Sequence, residues 1–368
     1  MKVLHICQQD DAAGGGAVRV AVELAKRQVA RQVDAKCVFA YGGAGVFGEG
    51  LAGKALYLQQ GPSSHRVSAA WNLYRLLKEE KPDIIHHHDG LIWTHLVTRT
   101  ASAGKCIGHG HLGTPLPTAH WKHRLAGYVH RRTYDHLFCV SEDAAQSWRR
   151  SGYPGNRIEV IPNGVDTEVF APATEEQRQA ARLRFDIPSE ATVFSFVGRL
   201  HNEMKRCDDF IRTVAAMPGH VWGLIAGTGV DDLSLRQLAV ELKVSDRVHF
   251  TGLLNPATAC YHASDVFLMT SSYEPFGLVV LEAAACGLPV AGFKAEGGVN
   301  DLMKFIQAPI LEFRDPVDLG NLALSLLLKP ASKFAEIREA LCENFSWDRS
   351  VDKILHTYSE ILTGHPSC

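Results

Sequence analysis

The 368-residue sequence contains no CxxC pair, and its nine cysteines, at 7, 37, 106, 139, 207, 260, 286, 342 and 368, are dispersed and odd in number. That usage suggests neither a structural zinc site nor a disulfide framework and fits a reducing compartment. No apolar run reaches the roughly 18 residues of a membrane span. The chain opens on a strand-like Lys2-Val3-Leu4-His5-Ile6 with no signal-peptide apolar stretch, so a cytoplasmic location is expected. Charge of one sign is also missing: the formal net charge is -2, which gives no footprint for nucleic acid, and neither DNA nor RNA is expected as a partner. No G-x-G-x-x-G occurs, which weakens the case for NAD, and there is no obvious Asp/His metal cluster.

What is present is ordinary apolar content, 46%, and more chain than one core usually serves, so two domains are expected. Short apolar runs alternate with amphipathic helical stretches. In the first half the expected strands are Val3 to Ile6, Ala35 to Ala40, Asp83 to His86, Lys105 to Ile107, His136 to Val140 and Ile158 to Ile161. After a polar segment from Pro162 to Glu175 the alternation restarts, at Thr192 to Val197, Val221 to Ala226, Arg247 to Phe250, Val266 to Met269 and Pro289 to Phe293. This is the pattern of parallel βαβ units. The expected fold class is α/β, with two Rossmann-like doubly wound domains facing a central cleft and ligands at the strand C-termini.

The chemistry concentrates in Ser272-Tyr273-Glu274-Pro275-Phe276-Gly277-Leu278-Val279-Val280-Leu281-Glu282, where two glutamates stand eight positions apart. Pro275 suits the first position of a helix, which places Glu274 before it and Glu282 about two turns inside. Phe276, Gly277 and Leu278 then present unpaired amides and the positive end of the helix dipole to a phosphate. One carboxylate can accept hydroxyls from a sugar and the other from a ribose; the plainer alternative is a capped helix bearing two solvated acids. Four further segments fall at strand ends. Gly14, Gly15 and Gly16 allow close backbone approach to a ligand. Arg199 in Gly198-Arg199-Leu200 and Lys205 supply two cations that can neutralise a diphosphate without a metal. Gly227 ends the next strand as a substrate-binding candidate, and backbone groups near Gly252 and Leu253 are candidates for holding a base; the plainer alternative for both segments is a βα turn.

Together these residues resemble the retaining glycosyltransferases of the GT-B fold, specifically family 4, the glycosyl transferases group 1. The resemblance spans nearly the whole chain and rests on Gly14 to Gly16, Val140-Ser141-Glu142, Ile161-Pro162-Asn163-Gly164-Val165-Asp166, Gly198-Arg199-Leu200 with Lys205, and the Glu274 to Pro289 block. It implies a donor that is a nucleotide diphosphate sugar, UDP- or GDP-linked, and no cofactor or metal. Glu282 is implied at the donor ribose, Glu274 at the transferred sugar, Arg199 and Lys205 at the diphosphate, and the Phe276 to Leu278 backbone at sugar and phosphate. It also places a histidine at a first-domain strand end, near the anomeric carbon. His109 and His111 both qualify, and His111 is favoured because it lies further out. Two departures are visible: Lys205-Arg206 stands where the family commonly has Lys-Gly, and Gly297-Gly298-Val299-Asn300-Asp301 ends in a shorter acid than the usual glutamate.

The resemblance further implies a C-terminal helix returning to the first domain. The domains expected are 1–165 with 350–368, on the acceptor side, and 166–349, on the donor side. His86-His87-His88 invites a metal, but successive strand residues point to opposite faces, so three adjacent histidines do not converge on one ion; His88 and Asp89 are instead expected on the acceptor side. The basic, aromatic segment 120–132 is expected to be a helix, either solvated or touching anionic lipid. The expected reaction is transfer to a glycan or lipid-linked glycan hydroxyl in bacterial surface polysaccharide or glycolipid synthesis, near the inner face of the membrane if 120–132 touches lipid. The alternatives are a nucleotide-sugar 2-epimerase, which needs no acceptor, and a silent nucleotide-binding protein, against which the intact Arg199, Lys205, Glu274 and Glu282 argue.

Overall fold

The structure, a computed structural model, describes residues 1–10, 15–59, 66–112 and 121–364. Gly14 of the glycine loop and His120 of the basic segment lie outside the described residues. The chain forms two compact units, Met1–Gly164 with Trp347–Cys368, and Val165–Ser346. The boundaries thus fall at Gly164/Val165 and Ser346/Trp347, rather than at 165/166 and 349/350.

Among the described residues the first unit has seven strands: β1 (Lys2–Gln9), β2 (Asp34–Tyr41), β3 (Ala55–Tyr57), β4 (Ile84–His87), β5 (Lys105–Gly110), β6 (His136–Cys139) and β7 (Ile158–Val160). All pair in parallel, in the order β3-β2-β1-β4-β5-β6-β7. Helices cover the sheet, so its strands read as nearly continuous apolar runs; Leu4, Ile6, Val38, Leu73 and Ile85 are fully buried between sheet and helix. The C-terminal helix Trp347–Thr363 buries Val351, Ile354 and Tyr358 in this unit. Arg31, just past the end of the helix Gly15–Ala30, donates to Asp348 and Asp352 at 2.8 Å each, and Ser350 Oγ donates to Pro162 O at 2.8 Å.

The second unit has β8 (Thr192–Val197), β9 (Val221–Ala226), β10 (Val248–Gly252), β11 (Val266–Met269), β12 (Val290–Phe293) and β13 (Ile310–Leu311), again parallel, in the order β10-β9-β8-β11-β12-β13. Phe194, Phe210, Ile225, Leu268 and Phe293 form its core. In both sheets the strand order reverses beside the first strand, between β1 and β4 and between β8 and β11. Loops diverge there at the strand C-termini, which is where open α/β sheets hold ligands. Both sheets are therefore Rossmann-like and doubly wound. The short edge strands β3 and β13 escape the periodicity reading, because three and two residues are too few to show an alternation.

Candidate functional site

At the second unit's switch point, the chain leaving β8 runs through Gly198-Arg199-Leu200 into a short helix, Asn202–Lys205. That helix is tied to the loop after β11: Ser272 N donates to Met204 O at 2.8 Å, and Thr270 Oγ1 donates to Lys205 O at 3.2 Å. The docking sets the Lys205 ammonium against the Glu274 carboxylate in an ion pair whose side chains are only 19% and 13% exposed. Arg199 is exposed on the same loop. Arg206 has φ 50°, a left-handed conformation that costs an L-residue about 1 kcal/mol and that glycine would adopt without strain. Its guanidinium is held by Asp209 at 3.1 Å and Asp208 at 3.3 Å.

The glutamate segment departs from expectation in one respect. Pro275 does not open the helix, which runs Leu278–Ala285 with Gly277 at its N-cap, φ 94°. The loop after β12 holds the preceding residues out of helical geometry: Glu274 N donates to Glu296 O at 2.8 Å, Gly298 N to Pro275 O at 3.1 Å and Val299 N to Glu274 O at 3.2 Å. Glu282 consequently lies about one turn inside the helix, not two. Leu278 and Val279 head the helix, where amides have no intrahelical acceptor, while the Phe276 side chain is buried. Asp301 is exposed and faces Lys304 at 3.9 Å, away from Glu274.

Glu282 is 2% exposed and accepts a hydrogen bond from Tyr261 Oη at 2.9 Å. Burial and this carboxylate together push the Tyr261 hydroxyl well above the ordinary tyrosine range. Tyr261 carries no local signal in the sequence, since a buried aromatic on an apolar helix face reads as core.

The loops after β8, β9 and β10 are fastened to one another. Gly198 N donates to Ala226 O at 3.0 Å, Leu200 N to Thr228 O at 2.9 Å and Gly227 N to Gly252 O at 2.8 Å. A Cβ on Gly227 would lie 1.8 Å from Gly198 O, and φ there is 151°. Gly227→Ala is therefore expected to destabilise the second unit by about 3 kcal/mol, read as a fall in the urea midpoint; an unchanged midpoint would show that these loops can part without cost. Leu253 is exposed, as are Val230 and Leu233.

In the first unit Gly15 opens the helix Gly15–Ala30 with φ 65°, and Gly16 is exposed. Asp10, which the sequence reading missed, is 4% exposed and accepts the amides of Gly45, Phe47 and Gly48 at 2.9 Å and the Tyr57 hydroxyl at 2.7 Å, so it anchors the 45–48 loop. His109 is buried on β5 and His111 is half-buried just beyond it, their rings stacked at 4.3 Å. Strand alternation separates the triple as expected. His86 and His88 face His5, His109 and Tyr358, whereas His87 faces His95 on the helix Ile92–Ala101. His88 and Asp89 thus lie on opposite faces of the sheet. Gly108 and Gly110 make the second face possible, because a Cβ there would lie 2.5 Å from the Tyr134 ring and 2.9 Å from Trp148. Burial holds the imidazoles neutral: His111, His87 and His95 are pushed down to about 3, and His5 and His130 to about 4. Asp89, also buried, is pushed up to about 6.

The basic segment contains a helix, Trp121–Thr133. Arg131 donates to Ser151 O at 2.5 Å and Arg132 lies 4.4 Å over the exposed Tyr128 ring, while His130 packs on His95. Among the described residues no helix is long and apolar enough to cross a membrane, and eight cysteines are unpaired.

Two family models match, Glycosyltransferase Family 4 over residues 14–169 and Glycosyl transferases group 1 over residues 177–337. A D-inositol 3-phosphate glycosyltransferase of Salinispora tropica is 35% identical over 233 residues, covering 57% of this chain and 47% of that protein. The enzyme of the same name from Mycolicibacterium smegmatis is 33% identical over 221 residues, covering 57% and 49%. The chain spans about half the length of these curated relatives. Among solved structures, Anabaena Alr3699/HepE in complex with UDP and glucose matches with a TM-score of 0.85 at 20% identity, over 98% of this chain and 99% of that one. Sucrose-phosphate synthase from Thermosynechococcus elongatus gives 0.79 at 18% identity, over 99% and 100%. On two family models that between them take in most of both units, and on neighbours of the same architecture, the chain belongs to the family 4 glycosyltransferases of the GT-B fold.

Proposed function

We propose that this protein is a retaining, metal-independent glycosyltransferase that moves a hexosyl or related group from a nucleotide diphosphate sugar to a hydroxyl acceptor. The observation that carries the reading is the Lys205–Glu274 pair beside the head of the helix Leu278–Ala285, at the second unit's switch point. A cation and two leading amides suit a diphosphate that gains charge as it leaves, and a fixed carboxylate suits sugar hydroxyls. Arg199 is assigned the same diphosphate. Glu282, steadied by Tyr261, is assigned the donor ribose, and the backbone of Phe276, Gly277 and Leu278 the sugar and phosphate. Leu253, with the backbone near Gly252, is assigned the base, and Gly227 a place in the same donor site.

The first unit is assigned the acceptor, with Gly15 and Gly16 at its first helix and His111, or alternatively His109, as the histidine for the transferred sugar. With its imidazole held neutral by burial, it serves to position the sugar rather than to act as an obligate general base. In a same-face displacement the donor's own phosphate takes the acceptor proton. The favoured acceptor is a glycan or lipid-linked glycan of a bacterial surface polymer or glycolipid, with lipid contact assigned to Tyr128 and Arg132. The names of the curated relatives support inositol phosphate as a second acceptor to test.

Calorimetric titration with UDP, GDP, ADP and their sugar conjugates, with and without EDTA, tests the donor assignment. One diphosphate is expected to bind with unchanged affinity in EDTA, and Glu282→Ala is expected to weaken it about tenfold or more. Binding only with a divalent ion, or none, would overturn the reading. Turnover of the donor to an epimer without acceptor would favour the 2-epimerase instead.

A further inference from the structure

The first sheet's switch point carries more imidazole than sugar positioning needs. His5 pairs in register with His86 across β1 and β4, His109 lies on β5, and His88 and His111 lie just past the ends of β4 and β5, so one face at these strand ends presents five histidines. We propose that His88, His109 and His111 form a binding site for a first-row transition-metal ion of the Zn2+ class. One ring nitrogen from each lies within 4.8 Å of the other two. With metal–nitrogen bonds of about 2.0–2.1 Å, tetrahedral ligands stand about 3.3 Å apart, so the separations suit one ion once the stacked His109 and His111 rings turn to bring their lone pairs together.

The hydrogen bonds behind the triad fix the nitrogen that His88 offers and permit a matching choice for His109. His88 Nε2 meets His5 Nδ1 at 3.0 Å, and His5 Nε2 meets Gln28 Oε1 at 2.9 Å. Because the amide oxygen only accepts, His5 donates to Gln28, His88 donates to His5, and the His88 Nδ1 lone pair is left facing His111 Nε2 at 2.9 Å. His109 Nδ1 meets His86 Nε2 at 3.1 Å, and His86 Nδ1 meets Tyr358 Oη at 2.5 Å. The Tyr358 hydroxyl both donates and accepts, so this chain permits His109 to donate inward and turn the Nε2 lone pair outward, without fixing that direction. His109 Nε2 is buried and has no hydrogen-bond partner among the described residues.

Ligating imidazoles whose second nitrogens donate to fixed acceptors are the usual support of a metal site, and three imidazoles suit Zn2+, Ni2+ or Cu2+ rather than Mg2+ or Ca2+. His111 is half-buried, which gives an ion a way in. The group His87, Asp89 and His95 on the opposite face is less suited: its side chains are fully enclosed, and both His95 nitrogens are engaged, with Leu91 O and Tyr134 Oη at 2.7 Å each.

The test uses the full chain, without a histidine tag and stripped with EDTA, titrated with ZnCl2 by calorimetry and with CoCl2 by visible absorption. One ion per chain is expected, with the visible bands of imidazole-bound cobalt. His111→Ala and His109→Asn should each weaken binding at least tenfold, and Gln28→Met, which removes the acceptor behind His5, about tenfold. His356→Ala, on the exposed side of the last helix, should change nothing, and circular dichroism reports whether each variant is folded. No binding, or equal affinity in folded His111→Ala, would overturn the proposal. So would binding that His87→Ala removes and His111→Ala does not. A further consequence rests on the transfer reading above: a bound ion withdraws His111, so Zn2+ should inhibit transfer and EDTA restore it. Failure of that arm alone would count against the role given to His111 and not against the metal site.

Discussion

Lys205→Ala is expected to lower kcat for sugar transfer at least a hundredfold while leaving the fold intact. Lys205 reaches the site only because the helix Asn202–Lys205 is bonded to the loop after β11, so its ammonium has a fixed position before any donor arrives. A preset cation at a leaving diphosphate stabilises charge that grows in the transition state, and losing one such group costs about 10²–10³ in rate. The ion pair with Glu274 contributes modestly to folding, because both side chains are mostly buried and the cost of desolvating them offsets much of the attraction; a stability change of about 1–2 kcal/mol is expected. Lys205→Arg keeps the charge with a different reach and should recover part of the loss. Glu274→Gln should remove the partner carboxylate, with losses in both kcat and KM as the sugar loses an anchor. The measurement is steady-state kinetics once a donor is identified, beside urea unfolding of each variant. A Lys205→Ala protein with wild-type kcat would remove the lysine from the mechanism.

Much of the fold was legible because parallel strands buried on both faces announce themselves. Thr192–Val197, Val221–Ala226 and Val266–Met269 are apolar runs bounded by glycine or polar turns, and they form strands with those bounds. Arg199, Lys205, Glu274 and Glu282 could be picked out for a related reason: each follows or faces a recognisable strand end of the second unit. The helix start was misjudged at Pro275 because a proline there is compatible with two geometries. Backbone bonds from the loop after β12, more than 20 residues away in sequence, select the non-helical one. The histidine array was half legible. Alternation correctly denies convergence to His86, His87 and His88, but cross-strand register, which brings His5, His86 and His109 together, is not a local property of any segment. Asp10 and Tyr261 were invisible for the same reason, since their roles depend on partners 35 and 21 residues away.

The first unit, held in EDTA, is expected to unfold on mild acidification, between about pH 6 and pH 5. Eight of its histidines, His5, His86, His87, His88, His95, His109, His111 and His130, are pushed below the ordinary value of 6.5 by burial. For a lowered folded-state pKa the sign is fixed: below pH 6.5 the unfolded chain binds protons that the folded unit refuses, so stability present above 6.5 is lost as pH falls. Asp89, pushed up to about 6, works in the opposite direction, since the folded unit takes up its proton before the unfolded chain does. It is one proton against eight. Each proton that only the unfolded chain binds contributes up to about 1.4 kcal/mol per pH unit, so a few such imidazoles are enough to erode the stability of a typical domain. The second unit contains none of these eight and should keep its amide protection at pH 5. Hydrogen exchange read by mass spectrometry separates the two units directly. His87 offers the sharpest variant, because both its nitrogens are buried without hydrogen-bond partners among the described residues, the nearest charge being Asp89 at 3.5 Å. His87→Phe removes one proton acceptor and one unsatisfied polar ring, and should move the acid midpoint downward. Full protection of β1, β4 and β5 at pH 4.5 would mean that these imidazoles take up protons within the folded unit, and that burial does not set their charge.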